Sequence, residues 1–331
     1  MKTKLGNRGP RAGLLGLVAA LAFGSTALAQ GRTDLGFATS ASGGTGYMYA
    51  VAVATVVNEA SEDLKITPFP TAGVVENDRL LRGDEAQLIL HTGGEAYDSY
   101  RGQGRYPSAN TELRAILPIY ASLIQIVVPA ELDATRPGDL KGKRVGLGEP
   151  GASANTYVRQ ALEVEGVKDG DYQARPNSLT EQVAGVRDGN LDVLSTVMGS
   201  GAPALQDLAT SRDVRWISIA PETLKAVMAM NPPGAVVPVT ISAGTYAGQD
   251  EEVQTFGVPI WIMASADLPD SAVTQILSRF LGNMDRASEV HPIVRETTPA
   301  FVAGATPPVP WHEAALPVLR ESGYSPVPFD E

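Results

Sequence analysis

Cysteine is absent from this chain of 331 residues, and histidine occurs only three times, at positions 91, 291 and 312. The lack of thiols excludes disulfide bonds, thiolate metal sites and lipid attachment through cysteine. No two histidines stand at a spacing such as H-x-x-x-H, which would place both on one face of a helix. Nothing in the sequence calls for a metal ion, and we expect no cofactor.

Long apolar runs are also missing, apart from one short run near the start. Basic residues at positions 2, 4, 8 and 11 precede the apolar stretch Leu14–Phe23, and Ala27-Leu28-Ala29 follows it. This order is that of a secretory signal peptide with a small-x-small cleavage site. The apolar core is too short to span a bilayer. We therefore expect residues 1–29 to be a signal peptide, cleaved near Ala29, and the mature protein to be periplasmic without direct membrane insertion.

Positive charge is scarce. The chain has 26 Lys and Arg against 37 Asp and Glu, a formal net charge of −11, and the predicted cleavage would remove four basic residues and no acidic one. Nucleic acid and anionic lipid are poor partners for such a surface. A small anion is still compatible with it, because backbone N–H groups act at short range whatever the global charge.

Short runs rich in β-branched residues alternate with helical patterns through most of the chain, which predicts an α/β fold. About 300 residues after cleavage is more than one core usually holds, so two domains are expected. A second α/β unit begins after the polar connection Pro129–Lys143, and the predicted strand Val253–Ile262 could carry the chain back to the first. We predict one lobe from residues 30–124 and 253–331, and a second from residues 125–252.

Glycine-rich turns between predicted strands and helices are the main candidate binding elements. The segment Gly36–Gly46 leads into the helical run that starts at Tyr47. The free N–H groups of such a helix start suit a small anion, although a tight connection without a ligand explains the segment as well. The candidate contacts in this turn are Gly43, Gly44, Thr45 and Tyr47.

Two further turns follow the same pattern, and the end of another strand adds a third candidate. The sequence Gly146-Leu-Gly-Glu-Pro-Gly151 matches G-x-G-x-x-G, but Pro150 removes one amide that a dinucleotide pyrophosphate would need. We interpret it as a second ligand-facing turn with Ser153 and Asn155. Thr71 caps a helix or binds a ligand, with Asn77 six residues on. His91 and Thr92 end a predicted strand at the edge where ligands of α/β sheets bind, although an ordinary surface histidine is an equal alternative.

Catalytic motifs are not found. The segment Gly151-Ala-Ser-Ala-Asn155 breaks the G-x-S-x-G pattern at its last position. We therefore expect a binding protein and no enzyme. Two alternatives stay open: a secreted hydrolase or transferase that uses the same cleft, and a ligand-sensing module that works without a transporter.

Five segments together resemble the TAXI family, the extracytoplasmic solute receptors of TRAP-type transporters. They are Gly43-Gly-Thr-Gly-Tyr-Met-Tyr, Thr71-Ala-Gly-Val-Val-Glu-Asn, Asp139-Leu-Lys-Gly-Lys-Arg-Val-Gly-Leu-Gly, Gly244-Thr-Tyr-Ala-Gly-Gln and Trp311-His-Glu-Ala-Ala with Glu321-Ser-Gly. The resemblance implies two α/β lobes joined by hinge strands, a small carboxylate such as glutamate or 2-oxoglutarate in the cleft, and TRAP membrane subunits as partners.

Two departures from the family pattern bear on the ligand. Val74 stands where the family commonly has serine, and Gly151-Ala-Ser-Ala replaces a Gly-Ser-Gly-Thr run. Hydroxyl donors are thus lost or moved, so a less polar or differently shaped acid becomes plausible. The predicted ligand-binding residues are Gly43, Gly44, Thr45, Tyr47, Thr71, Asn77, His91, Thr92, Tyr120, Ser153 and Asn155; Tyr246 is expected to be structural, near the hinge.

Overall fold

The structure is a computed structural model that describes residues 32–40, 42, 44–148 and 153–330. The predicted signal peptide, Gly43 and residues 149–152 lie outside the described part. The strands are β1 (Thr33–Ala38), β2 (Leu64–Phe69), β3 (Leu88–Thr92), β4 (Leu113–Pro129), β5 (Arg144–Gly146), β6 (Gln173–Arg175), β7 (Leu194–Met198), β8 (Val214–Trp216), β9 (Val237–Ile241) and β10 (Val253–Ser265).

The α-helices are α1 (Thr45–Glu59), α2 (Val74–Arg82), α3 (Gly93–Arg101), α4 (Ser153–Val164), α5 (Leu179–Arg187), α6 (Pro203–Ser211), α7 (Pro221–Ala229), α8 (Asp270–Leu281), α9 (Met284–Val290), α10 (Pro299–Gly304) and α11 (Ala315–Glu321). Pro137–Leu140 and Pro292–Glu296 form 3-10 helices. None of the described helices combines the length and the hydropathy that a membrane span requires.

Two long strands, β4 and β10, organise the main sheet. The sheet runs in the order β2-β1-β3-β10-β4-β7, with β9 beside β10 and β8 beside β4. β1 is parallel to β2 and β3, whereas β10 is antiparallel to β3, β4 and β9. The part of β4 up to Leu123 pairs with β10, and the part from Leu123 onward pairs with β7 and β8. Along their length, β4 and β10 thus each pair first with one set of strands and then with another.

β4 is much longer than the sequence pattern indicates. Its second half, Ile124–Val128, is predicted as a strand, but its first half contains Pro118, which a central strand normally excludes. Register shifts on both sides of Pro118, at Ile116 and Ile119, locally break the ladder with β10. A bulge accommodates a residue that cannot donate a hydrogen bond, which is why the strand continues through the proline.

Buried side chains form two hydrophobic clusters. The larger one includes Phe37, Trp261 and Phe280, and the smaller one includes Ile124 and Phe256. Residues from both β4 and β10 belong to each cluster, so the two long strands connect the cores. The larger cluster also contains residues from 186–246, which belong to the second predicted lobe, so the clusters do not follow the predicted boundaries. The lobes 30–124 with 253–331 and 125–252 stay a prediction.

Gly257 lies opposite Leu123, at the point where β4 changes its neighbours. A Cβ at Gly257 would stand 2.8 Å from the Cβ of Ala121 and 3.1 Å from the carbonyl oxygen of Ser122. The first distance is too short for an added methyl group, and the second, to a backbone atom, is a tight contact. The close pairing of the two long strands therefore requires glycine here.

We expect Gly257→Ala to lower the free energy of unfolding by about 1–3 kcal/mol, because an added methyl group overpacks the strand pair. Urea unfolding of the purified protein measures the effect. Gly304→Ala is the matched control: no atom lies within 4 Å of the added Cβ, and the residue ends a helix. That variant should be neutral or more stable by up to about 1 kcal/mol, and equal losses in both variants would contradict the interpretation.

Candidate functional site

A row of side chains crosses the middle of the main sheet. Ile260 of β10 is paired with Thr92 on one side and with Tyr120 on the other. Directly paired residues point to the same face of a sheet. The next pair on this face, two residues along each strand, is Val258 with Ser122. We call the face that carries these five residues the cleft face.

A cavity of about 380 Å³ lies on the cleft face. Its polar side chains come from both predicted lobes: Thr92, Ser122, Ser178, Gln182, Ser195 and Thr196. We call it the polar cavity. No lysine or arginine is among its described lining residues. The polar groups of its described lining are thus hydroxyl groups and one side-chain amide, that of Gln182.

One wall of the polar cavity is held by hydrogen bonds within the protein. The Ser195 N–H donates to Gln182 Oε1 at 2.9 Å, and the Ser195 hydroxyl donates to the Gly146 carbonyl oxygen. Gln182 Nε2 in turn donates to the Asn177 carbonyl oxygen at 3.1 Å. These groups join β5, β7 and α5 and have little capacity left for a ligand. The structure gives them a positioning role that the sequence did not reveal.

Other hydroxyl groups of the site remain available. The side chains of Thr92, Ser122, Thr196 and Tyr120 form no hydrogen bond to any other described residue. Thr92 is also the residue before α3 and leaves that helix start without a side-chain cap. Within the described part of the chain, no side-chain cap therefore occupies the first N–H groups of α3 beside the Thr92 hydroxyl group, which is a suitable arrangement for an anionic oxygen.

The predicted turn before α1 lies next to Tyr120. A Cβ at Gly46 would stand 2.8 Å from Leu90 Cδ1 and 3.5 Å from the Tyr120 hydroxyl. The Tyr47 N–H donates to Ser40 Oγ at 3.1 Å, so one N–H of the first turn already has a partner. Gly44, Thr45 and Tyr47 are partly exposed at this helix start. Their contact with a ligand stays a prediction.

Thr71 and Asn77 brace the ends of two strands. Asn77 is fully buried, and its Nδ2 donates to the carbonyl oxygens of Thr39 and Leu90 at 2.7 and 2.8 Å. The Thr71 hydroxyl lies 2.6 Å from Asn77 Oδ1, to which it donates. Both side chains therefore hold β1 and β3 together, whereas ligand contact by either of them stays a prediction.

His91 lies next to Thr92 in the strand and therefore points to the opposite face. It pairs with Trp261, is fully buried, and its Nε2 lies 3.5 Å from the Tyr106 hydroxyl. Burial lowers the pKa of His91 to about 4, so the ring is neutral at ordinary pH. The geometry places this side chain outside the polar cavity.

The second predicted turn contributes α4. Asn155 Oδ1 accepts a hydrogen bond from Arg159 Nε at 2.7 Å, beside the cavity-lining Ala154. The Tyr157 hydroxyl lies 3.9 Å from where a Cβ of Gly94 would be, which brings α4 close to the start of α3. Burial raises the pKa of Tyr157 to about 12. The side chain of Ser153 lies outside the described part.

Glu296 is an additional candidate without any signal in the sequence. Its side chain is half-buried at the end of the second 3-10 helix and has no hydrogen bond or ion pair within the described residues. Burial raises the pKa of this carboxyl group to about 7. Its charge also raises the pKa of Tyr120, after the larger effect of burial. The next residue, Thr297, donates its hydroxyl to the Ile119 carbonyl oxygen at 2.6 Å, which ties this segment to β4.

Comparison with known proteins decides the family. The model of the NMT1-like family matches residues 37–323. The chain belongs to the NMT1-like family. This match covers both predicted lobes, so a single family accounts for nearly all of the described structure.

Two solved structures show the same fold. A sulfonate-binding periplasmic protein, SsuA from Methylobacillus flagellatus, is similar with a TM-score of 0.50 and 12% identity over 83% of this chain and 73% of that chain. A TctC solute-binding protein from Polaromonas is similar with a TM-score of 0.51 and 12% identity over 87% and 88%. The predicted α/β, two-lobed periplasmic-binding-protein fold is confirmed, and at this identity the likeness concerns the fold alone. The TAXI subtype stays a prediction.

The Glu296 carboxyl group should make stability depend on pH. Its pKa is about 7 in the folded protein against an ordinary value of 4.5, so the folded state holds the proton more tightly. Stability is then lost as pH rises from about 4.5 to about 7. Glu296→Gln removes this loss, so the variant should be more stable than the wild type by up to about 3 kcal/mol at pH 8 and little changed at pH 4.

Urea unfolding at several pH values measures this difference. The exposed Glu321 at the end of α11 provides the control, because Glu321→Gln should show no such pH-dependent gain. A Glu296→Gln effect of the same size at pH 4 and pH 8 would show that the carboxyl group is not held in an unfavourable environment.

Proposed function

We propose that this protein is a periplasmic solute receptor that binds a small organic anion in the polar cavity and delivers it to the membrane subunits of a TRAP-type transporter. The observation that carries the proposal is the set of hydroxyl groups on the cleft face, at Thr92, Tyr120 and Ser122, that have no hydrogen-bond partner among the described residues. A cavity of about 380 Å³ suits a small molecule. A carboxylate can be held there by hydroxyl groups and helix-start N–H groups.

The fold supports a receptor role. Membership of the NMT1-like family and the likeness to two periplasmic solute-binding proteins agree with the predicted signal peptide. The Methylobacillus protein carries the description sulfonate-binding, and a sulfonate is an anion. Closure of two lobes over a ligand would change both lobe surfaces together, which can signal occupancy to a transporter.

The placement of the histidines argues against catalysis in this cleft. His91 lies on the opposite face of β3, His291 Nδ1 accepts the N–H of Ile293, and His312 Nε2 lies 2.9 Å from the Leu268 carbonyl oxygen. Within the described residues, none of them is paired with a serine hydroxyl as a general base would be. Nor is there a described cluster of acidic and histidine side chains that could hold a metal ion.

A thermal-shift screen of organic acids tests the proposed ligand class. We expect at least one small acid to raise the unfolding midpoint, because ligand bound to the folded state stabilises it by mass action. If peptides or sugars raise the midpoint and no acid does, the proposed class is wrong. TRAP membrane subunits encoded next to this chain would support the proposed transporter, and an isolated gene would favour the sensor alternative.

Removal of the free hydroxyl groups should weaken the acid found by that screen. Thr92→Val and Ser122→Ala each delete a hydrogen bond to the ligand, so affinity should fall about 5- to 30-fold, which corresponds to about 1–2 kcal/mol. Isothermal titration calorimetry measures the change. Thr240→Val on the exposed part of β9 serves as the control and should bind like the wild type. Unchanged affinity in both site variants would place the ligand elsewhere.

A further inference from the structure

An acidic residue lies in the first turn of α3 but does not cap that helix. Glu95 is the third residue of α3, and a glutamate at this position commonly folds back to accept the N–H of the residue before the helix. Here that residue is Thr92. Among the described residues, the Glu95 carboxylate accepts hydrogen bonds from other groups and none from Thr92. Its charge is therefore directed away from the helix start.

Two residues of the segment after α3 hold this carboxylate. Arg105 Nη2 donates to Glu95 Oε1, and the Tyr106 hydroxyl donates to Glu95 Oε2 at 3.0 Å. Tyr106 is buried, and its hydroxyl also lies 3.5 Å from Nε2 of His91, which points away from the cleft face. Because each carboxylate oxygen has its own partner, Glu95 is fixed on the His91 side of α3.

The start of α3 is thereby left open beside the polar cavity. Thr92 immediately precedes the helix and lines that cavity. Tyr120 shares the cleft face, is only 4% exposed, and its hydroxyl has no hydrogen-bond partner among the described residues. A buried hydroxyl group normally has a partner, so this one is available to a ligand. The open helix start and the buried hydroxyl group thus belong to the same face.

A released Glu95 would compete with an anionic ligand. Its carboxylate belongs to the turn whose N–H groups and dipole attract anions, and it is tethered there by the chain itself. Its charge already acts across the cleft: burial raises the pKa of Tyr157, and Glu95 is the first charge that adds to this increase. The Tyr157 hydroxyl lies 3.9 Å from where a Cβ of Gly94 would be. Arg105 is the cation that offsets this charge.

We propose that Arg105 and Tyr106 are positioning residues for ligand binding, because they hold the Glu95 carboxylate away from the start of α3 and leave its N–H groups to an anionic ligand. This inference rests on the proposed function, since it assumes an anion in the polar cavity. None of the three residues is among the described lining of that cavity. The Arg105 side chain is 63% exposed, so its ion pair adds little stability. Its effect is on where the carboxylate lies.

A double-mutant cycle tests this role. Glutarate, 2-oxoglutarate, ethanesulfonate and any further acid that raises the midpoint in the thermal-shift screen are titrated into the purified protein by calorimetry. Arg105→Ala should weaken the acid that binds by about 3- to 10-fold, because the released carboxylate occupies the helix start and repels the ligand. Glu95→Gln should bind at least as tightly as the wild type. When Arg105→Ala is combined with Glu95→Gln, the loss should disappear.

Three further variants separate this effect from a change in net charge and from structural damage. Arg79→Ala removes an arginine of similar exposure, 60%, from an ion pair with Glu85, and should bind like the wild type. Arg105→Lys keeps the positive charge and should recover most of the affinity. Tyr106→Phe deletes only the hydroxyl donor, so it should weaken binding less than Arg105→Ala does, and only while Glu95 is present.

The outcomes distinguish this inference from the proposed function. If Arg105→Ala binds the acid as tightly as the wild type, or if the double variant is as weak as Arg105→Ala, the positioning role is overturned while the receptor function stands. A double variant weaker than both single variants would show a purely structural ion pair and would overturn the role as well. If no acid binds in the titrations or in the screen, the proposed ligand class and the positioning role are both overturned.

Discussion

The pairing of β4 with β10 is the interaction on which the rest of this structure depends. These strands are 17 and 13 residues long, and each contributes to both hydrophobic clusters. They approach so closely that position 257 has room only for glycine. Because side chains alternate along a strand, the same pairing that joins the two cores also places Thr92, Ser122 and Tyr120 on one face.

The chemistry of the cleft follows from what that face presents. Its described residues offer hydroxyl groups beside a helix start without a side-chain cap, and no cationic side chain is among the described residues that line the polar cavity. Hydroxyl groups recognise a carboxylate or a sulfonate through directed hydrogen bonds. A site of this kind gains its specificity from geometry more than from net charge. In an acidic protein, this keeps a small anion compatible with the overall surface.

Much of the fold could be predicted from local patterns. The apolar positions of residues 74–82 and the glycines on either side predict the helix Val74–Arg82, because these signals act over a few residues. The first half of β4 could not be predicted in this way, because Pro118 argues against a strand unless a bulge occurs beside it. The start of helix α3, Thr92-Gly-Gly, has the pattern of a loop. The structure shows why glycine stands there: a Cβ at Gly93 would collide with the backbone of Gly234.

For the site, the sequence by itself determined which segments are candidates for ligand binding, namely the glycine-rich turns that follow strands. Thr92 is among the residues at the sheet edge there. Only the tertiary structure decided which side chains are free. Asn77 and Thr71 satisfy each other and the backbone, and His91 is turned to the opposite face. Thr297 reaches the backbone of β4 at Ile119 from far along the chain. The physical reason is that residue type sets what a group can bind, whereas long-range packing determines whether a partner already occupies it.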